Sequence, residues 1–328
     1  MRLPKPRGPV SAALVEGLGG TAPLAAPAAT SSDTDPDAVV HDDDLQLALW
    51  ICYEMHYRGF DDVDDAWEWE PSLIALRGAL EERWLAGLRR LVPPVEVEPD
   101  RVPAALAELV AADAGPPLAG FLQREATREQ FREFVALRSV YHLKEADPHS
   151  WAIPRLEGAP KAALVEIQTD EYGGGRVERM HSELFRDVMR ALDLDDTYGH
   201  YVDDASAVTL AVTNTISLFG LRRELAGALI GHLASFEMTS SLPNRRYGNG
   251  LRRLGGDATA TRFYDEHVEA DAVHEQIAAH DLCGGYAKQH PEAAADILFG
   301  AACGLAVEAE FGRALLDRWA GNPLPRTA

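Results

Sequence analysis

Apolar side chains recur at helical spacing along most of this chain. From Asp44 onward, leucines and aromatic residues return every three or four positions, whereas the alternation typical of strands is sparse. The pattern predicts helices over residues 45–53, 71–91, 103–113, 117–124, 128–145, 158–190 with a break at 173–175, 202–220, 221–241, 258–282 and 291–319. The predicted fold class is therefore all-α.

Two segments depart from this spacing. Residues 1–40 are rich in Ala, Pro, Gly, Ser and Asp, a composition typical of a disordered or loosely packed arm. The polar run 244–256 is predicted to interrupt the helices, and Asp257 is a good N-cap for the helix that follows. The expected organisation is an arm over 1–40, a helical extension over 41–125 and a helical bundle over 126–328.

Charge and cysteine content exclude several classes of protein. With 31 Lys and Arg against 52 Asp and Glu, the net charge of −21 repels nucleic acid and anionic membrane surfaces. The three cysteines have no disulfide or zinc-ribbon spacing, and their odd number favours reduced thiols. No apolar run reaches the roughly 18 residues of a membrane span. A cytoplasmic protein without a nucleic-acid or membrane partner is expected.

The most specific chemical signal is the triplet His267, Asp271 and His274. Their spacing of i, i+4 and i+7 puts all three within roughly 60° of one another on one helix face. Two imidazoles and a carboxylate that project together suit a first-row metal, iron above all, because they leave coordination positions open for O2. The alternative is a solvated, charged helix face on an acidic protein.

A second group of candidate ligands precedes and follows three consecutive glycines. Glu178 and His181 form the Glu-x-x-His pair used in carboxylate-bridged di-iron bundles. Glu171, ten residues before His181, reaches the same face only if the glycines at 173–175 bend the helix. Each glycine costs a helix about 1 kcal/mol relative to Ala, so the run indicates close approach of a ligand or a segment that orders on metal binding.

Two further carboxylates belong to the candidate set. Glu237 lies near the end of an apolar helix rich in small residues, so it is expected to face inward and to need a partner. Glu145 lies at the end of a predicted helix, in the sequence His142-Leu-Lys-Glu. A helix-end carboxylate is also commonly solvated, and that reading of Glu145 stays open.

These residues together resemble the haem-oxygenase-like di-iron oxidases, also described as iron-containing redox enzymes. The resemblance covers roughly residues 130–320 and implies a seven-helix bundle related to haem oxygenase, here with additional N-terminal helices. It implies metal ligands at Glu171, His181, Glu237, His267, Asp271 and His274. Glu145 and Glu178 are alternatives to Glu171.

The resemblance also implies the chemistry. Two Fe(II) ions without haem, and O2 as co-substrate, would oxidise a small amine, amino acid or fatty acid by N-oxygenation, desaturation or C–C cleavage. An external electron donor and a homodimer are compatible with it. Arg176 and Arg245, with Arg179 and Arg246 beside them, flank the predicted ligands and could hold a substrate carboxylate.

Two other functions are compatible with a helical fold. A haem-binding protein needs one proximal histidine, and the remaining candidate ligands would then be superfluous. A non-catalytic helical ligand-binding protein would use its acidic faces only for solvation, and it would take up no iron specifically.

Overall fold

The computed structural model describes residues 1–20, 24 and 36–321, with the side chains of 36–37 and 269–273 excepted. Over these ranges the protein is helical and has no β-strand, which confirms the all-α prediction. The α-helices are α1 (Pro9–Leu18), α2 (Pro36–Val40), α3 (Asp43–Glu54), α4 (Pro71–Leu91), α5 (Val102–Ala111), α6 (Leu118–Arg124), α7 (Arg128–His142), α8 (Asp147–Ser150), α9 (Gly158–Glu171), α10 (His181–Ala191), α11 (Ala207–Leu221), α12 (Ala226–Thr239), α13 (Ser241–Arg253), α14 (Ala258–Gln276), α15 (Gly285–Gln289) and α16 (Ala294–Trp319).

Side-chain caps fix the starts of α7 and α14, two of the helices at the candidate site. Thr127 and Gln130 form a reciprocal capping box at α7, with N–H···O distances of 2.9 and 3.2 Å. The Asp257 carboxylate accepts from the Ala260 N–H at 2.9 Å and caps α14, as expected from the sequence. A π-helical segment, Ile277–Gly284, continues α14 toward α15.

The centre of the bundle is formed by α11, α12 and α16. Every residue from Ala207 to Gly220 in α11 is buried. Gly231 of α12 and Gly300 of α16 allow close helix packing, because a Cβ at either position would collide with a carbonyl of the opposite helix. Glu237 is carried near the end of α12, so this tightly packed pair of helices gives it a rigid support.

The described part of the N-terminal region is packed, which corrects the expectation of a loose arm for residues 1–20. Leu14 of α1 is fully buried, and α1 contacts α3. The Asp44 carboxylate accepts from the Val10 and Ser11 N–H groups at 2.8 and 2.7 Å, so α3 supplies the cap for α1. Residues 21–23 and 25–35 of the expected arm lie outside the described residues.

The predicted helical extension packs directly on the bundle. In α11, the Asn214 side-chain N–H groups donate to the backbone and side-chain oxygens of Gln46 in α3, both at 2.8 Å and both buried. This buried contact joins the two predicted parts and does not mark where one ends and the other begins. The boundary between 41–125 and 126–328 therefore stays a prediction. No helix in the described ranges is both long and apolar enough to cross a bilayer.

The expected interruption at residues 244–256 is wrong for most of its length, because α13 continues to Arg253. Gly250 faces α6, and a Cβ there would lie 2.5 Å from the Leu122 carbonyl oxygen. Glycine in this segment therefore serves close helix packing instead of ending the helix.

Candidate metal centre

Glu145, His181 and His267 form a compact group of potential metal ligands. One ligand atom from each lies within 4.8 Å of the other two. Glu145 Oε1 is 3.7 Å from His181 Nδ1 and 3.8 Å from His267 Nε2. Glu171 extends the group, since its Oε2 lies 2.9 Å from His181 Nδ1. The turn after α7, the end of α9, the start of α10 and the middle of α14 thus meet at one point.

A second group adjoins the first. His274 lies on the same face of α14 as His267. Its Nδ1 is 3.3 Å from Glu237 Oε2, and its Nε2 is 2.9 Å from Asp170 Oδ2. Asp170 precedes Glu171 in α9, so this helix contributes to both groups. The arrangement is two clusters of carboxylate and imidazole side by side inside a helical bundle.

The first group contains buried polar atoms without a hydrogen-bond partner. Glu145 Oε1, Glu171 Oε2 and His181 Nδ1 are all of this kind. The last two atoms are close, but they are not aligned as donor and acceptor. Buried polar atoms are normally satisfied, and leaving one unsatisfied costs about 1–3 kcal/mol. Oxygen and nitrogen lone pairs that converge in this way fit a divalent cation, and carboxylate with imidazole is a donor set that suits iron.

Burial and the charges of neighbouring carboxylates raise the pKa values of two glutamates in the first group. Burial, followed by the charge of Glu171, raises the pKa of Glu145 to about 8. Burial and the charge of Glu237 likewise raise the pKa of Glu171 to about 8. A bound cation would reverse both shifts, because it favours the ionised carboxylate.

The pKa values of the histidines are shifted in opposite directions in the two groups. Burial, assisted by neighbouring His181, lowers the pKa of His267 to about 4, and burial also lowers the pKa of His181. Burial opposes ionisation of His274 too, but the hydrogen bond and charge of Glu237 raise its pKa to about 9. The first group therefore offers neutral imidazoles, the form that binds metals.

Hydrogen bonds orient two of the side chains. The Phe263 carbonyl lies 2.8 Å from His267 Nδ1, which must donate to it, so the lone pair of Nε2 faces Glu145. His142 Nδ1 contacts the outer oxygen of Glu145, Oε2, and leaves Oε1 directed at the two imidazoles. Such supporting contacts are typical of groups that hold metal ligands in place.

The three glycines at 173–175 separate α9 from α10. All three have positive φ, at 64°, 61° and 77°. A Cβ on Gly173 would lie 2.5 Å from the Arg179 carbonyl carbon, so the close approach is to the chain's own backbone and not to a ligand. The resulting turn brings the ends of α9 and α10, and with them Glu171 and His181, to within contact.

The structure brings most of the predicted ligands together. Glu171, His181, Glu237, His267 and His274 lie in the two groups. The side chain of Asp271 lies outside the described residues, although its backbone belongs to α14.

The less certain candidates for metal and substrate binding differ in their burial. Glu145 is buried at the centre of the first group, whereas Glu178 is exposed. Arg176 and Arg245, the candidates for substrate binding, are also exposed on the surface.

Two contributing residues were missed in the sequence. Asp170 contacts His274, and the only available signal was its position beside Glu171. His142 supports Glu145, and its i, i+3 spacing from that glutamate was a usable signal that passed unnoticed.

Comparison with known proteins gives two matches. A family model described as an iron-containing redox enzyme matches residues 132–309, just over half of the chain. A nitrosourea synthase from Streptomyces achromogenes subsp. streptozoticus is 27% identical over 150 residues, which cover 45% of this chain and 31% of that protein. The chain thus spans about a third of the length of this relative.

Proposed function

The chain belongs to the family of iron-containing redox enzymes, and on that premise we propose that it is an O2-dependent oxidoreductase with two iron ions at the candidate metal centre. The observation that carries the proposal is the convergence of buried carboxylate and imidazole atoms that lack hydrogen-bond partners. A haem-binding protein would have no use for such a convergence of carboxylates.

The two adjoining groups support two ions rather than one. Glu145, Glu171, His181 and His267 would hold the first ion. Glu237 and His274 would hold the second, with Asp271 added on the strength of its spacing along α14. In this proposal Asp170 would orient His274 through its hydrogen bond.

Bound iron would supply the O2 chemistry, and the chain would supply binding, orientation and exclusion of water. Phe185 and Phe263 are almost fully buried beside the first group, and their ring centroids lie 4.6 and 5.0 Å from that of His142. The Phe263 ring also lies 4.4 Å from that of His267. These rings would keep solvent away from one side of the centre.

We propose a small amine, amino acid or fatty acid as the substrate, with N-oxygenation, desaturation or C–C cleavage as the outcome. The likeness to a nitrosourea synthase favours N-oxygenation, because a nitroso group contains an oxidised nitrogen. An external electron donor and a homodimeric assembly belong to the same proposal, as does the absence of nucleic-acid and membrane partners.

The test is an anaerobic Fe(II) titration of the metal-free protein, followed by rapid mixing with O2. We expect uptake of about two ions per chain, reduced to about one or fewer in His274→Ala and retained in the control His200→Ala, whose side chain is 46% exposed. A transient visible absorption should follow mixing. Iron uptake that is absent, or that His274→Ala leaves unchanged, would contradict the proposal and favour a non-catalytic protein.

A further inference from the structure

A buried ion pair lies next to the candidate metal centre. Lys144 Nζ is 2.8 Å from Glu54 Oε2, and the two side chains are 2% and 0% exposed. Glu54 ends α3, and Lys144 directly precedes Glu145 in the turn after α7. The pair therefore ties α3, a helix outside the matched range 132–309, to the residue that directly precedes Glu145 of the centre.

Aromatic groups complete the surroundings of this pair. The Tyr198 hydroxyl donates to the same Glu54 oxygen at 2.9 Å. The Lys144 ammonium lies 4.5 Å from the centroid of the Tyr57 ring and 5.4 Å from that of Trp50. One carboxylate oxygen and two ring faces thus hold the ammonium, which leaves it little freedom to move.

The same turn is held at a second point. The Arg58 guanidinium donates to the Leu143 carbonyl at 3.4 Å, and it also stacks 4.0 Å from the centroid of the Tyr198 ring. Glu145 lies beyond the last residue of α7, in a turn whose backbone is held by hydrogen bonds from the Lys144 N–H to the Tyr141 carbonyl and from the Asp147 N–H to the Lys144 carbonyl, each 3.0 Å long. Side-chain contacts from α3 and the residues just after it add to these backbone bonds.

Stability alone does not account for a pair of this kind. Removing two charges from water is costly, and apolar residues of similar volume commonly stabilise a fold equally well or better. Glu54 Oε1 is also buried without a partner, so the pair does not even satisfy the whole carboxylate. What the pair adds is a directed contact between α3 and the residue before Glu145.

We propose that Glu54 and Lys144 are positioning residues of the metal centre. Their contact fixes the turn so that Glu145 Oε1 faces His181 and His267, and the N-terminal helix α3 thereby becomes a structural part of the site. The inference rests on the proposed function, because it presumes that Glu145 binds metal.

The decisive variant replaces both charges at once, as Glu54→Leu with Lys144→Met. If the pair is only structural, this apolar replacement keeps both the thermal midpoint of the metal-free protein and its affinity for Fe(II). If the pair positions Glu145, the midpoint is kept and the affinity falls by about tenfold or more, the size of effect that orienting groups produce. Anaerobic Fe(II) titration against a chelator measures the affinity.

A matched control is the Glu81–Arg222 pair, which joins α4 to the end of α11 with a 2.7 Å contact. The corresponding change Glu81→Leu with Arg222→Met should leave Fe(II) affinity within about twofold, since this pair does not contact the centre. Lys144→Arg should restore most of the affinity that Lys144→Met loses, because a guanidinium can still reach Glu54.

Should the double variant fail to fold, Tyr198→Phe offers a milder change, because it removes only the hydroxyl that donates to Glu54. It is expected to weaken Fe(II) binding by about threefold, the effect of losing one ordinary hydrogen bond. Unchanged affinity in Glu54→Leu with Lys144→Met, or in Tyr198→Phe if that double variant does not fold, would overturn the inference. Wild-type protein that binds no iron would instead overturn the proposed function, so the two failures are distinguishable.

Discussion

Two groups of charged side chains near α7, one buried and one partly buried, differ in how their charges are satisfied. Arg138 and Glu308 form a two-pronged ion pair between α7 and α16, with N···O distances of 2.6 and 2.5 Å and side-chain exposures of 11% and 22%. Two helical turns further on, Glu145 meets Glu171, His181 and His267 with no cationic side chain among them. The second group is buried and the first is partly buried, but only the first balances its own charges.

On the proposed function, the difference separates a structural group from the metal-binding one. A buried ion pair is complete as it stands, and breaking it exposes a single unpaired charge to an apolar environment. A group of converging carboxylates and neutral imidazoles is incomplete until a cation joins it. The two groups should therefore respond in opposite ways to mutation, pH and metal.

The largest effect is expected for the ligands themselves. Glu145→Ala and His267→Ala should each lower Fe(II) affinity by at least about 100-fold, more than the loss of an orienting group causes. Metal-free Glu145→Ala should unfold no more easily than the wild type, because the change removes a buried carboxylate oxygen that lacks a hydrogen-bond partner. Chelator competition and thermal unfolding measure the two quantities, and wild-type affinity in either variant would remove that residue from the centre.

Breaking the complete pair should have the opposite result. Arg138→Met is expected to lower the free energy of unfolding by about 3–5 kcal/mol, because Glu308 is left charged and unpaired. Adding Glu308→Leu should recover most of that loss, and both variants that fold should still take up iron. Urea denaturation gives the stability, and a loss of iron uptake in the double variant would show that the two groups are not independent.

A third prediction concerns pH. The pKa values of Glu145 and Glu171 are raised from 4.5 to about 8, so between these values the folded metal-free protein holds more protons than the unfolded chain. Their stabilising contribution is complete below pH 4.5 and is lost as the pH rises through 8. His274, with its pKa raised to about 9, acts in the same direction above its ordinary value.

Metal-free protein should accordingly lose about 3–5 kcal/mol of stability between pH 6.5 and 8, a window in which the opposing contribution of His181 and His267 fades because it lies above the ordinary pKa of histidine. Glu171→Gln should flatten this dependence. Iron affinity should rise over the same window, since binding releases the carboxyl protons. Urea denaturation at four pH values checks the first expectation, and stability that rises with pH would contradict it.

The smallest effect is expected on the outer face of α14. Asp265 pairs with Arg252 at 2.5 Å, but their side chains are 43% and 45% exposed. Asp265→Asn should change the free energy of unfolding by less than about 0.5 kcal/mol and leave iron uptake unchanged. A large loss of iron uptake in this variant would mean that the charge of the helix, and not its buried face, attracts the metal.

Periodicity was enough to predict the fold class, and it also located α4 and α16 closely. It failed for α13, where the polar and glycine-rich sequence hides a helix whose glycines pack against α6. It also failed for α1, a short helix stabilised by the remote Asp44 carboxylate. Contacts between distant parts of the chain determine whether such segments are helical, and the local spacing of apolar residues does not reveal these contacts.

The site was predictable in its regular part. His267 and His274 share one helix, so their spacing alone puts them on one face. Glu145 could not be ranked above Glu178 from the sequence, because the turn after α7 and the glycine turn after α9 decide which carboxylate is buried. The contribution of Lys144 and Glu54 was likewise hidden, since 90 residues separate them along the chain.

The π-helical segment Ile277–Gly284 begins three residues after His274. Its i→i+5 hydrogen bonds accommodate more residues per turn than an α-helix does. Deleting one residue there would let a turn become α-helical while the flanking helices keep their orientation. The polypeptide can therefore change its length by one residue just downstream of the centre, and His267 and His274 would keep their positions.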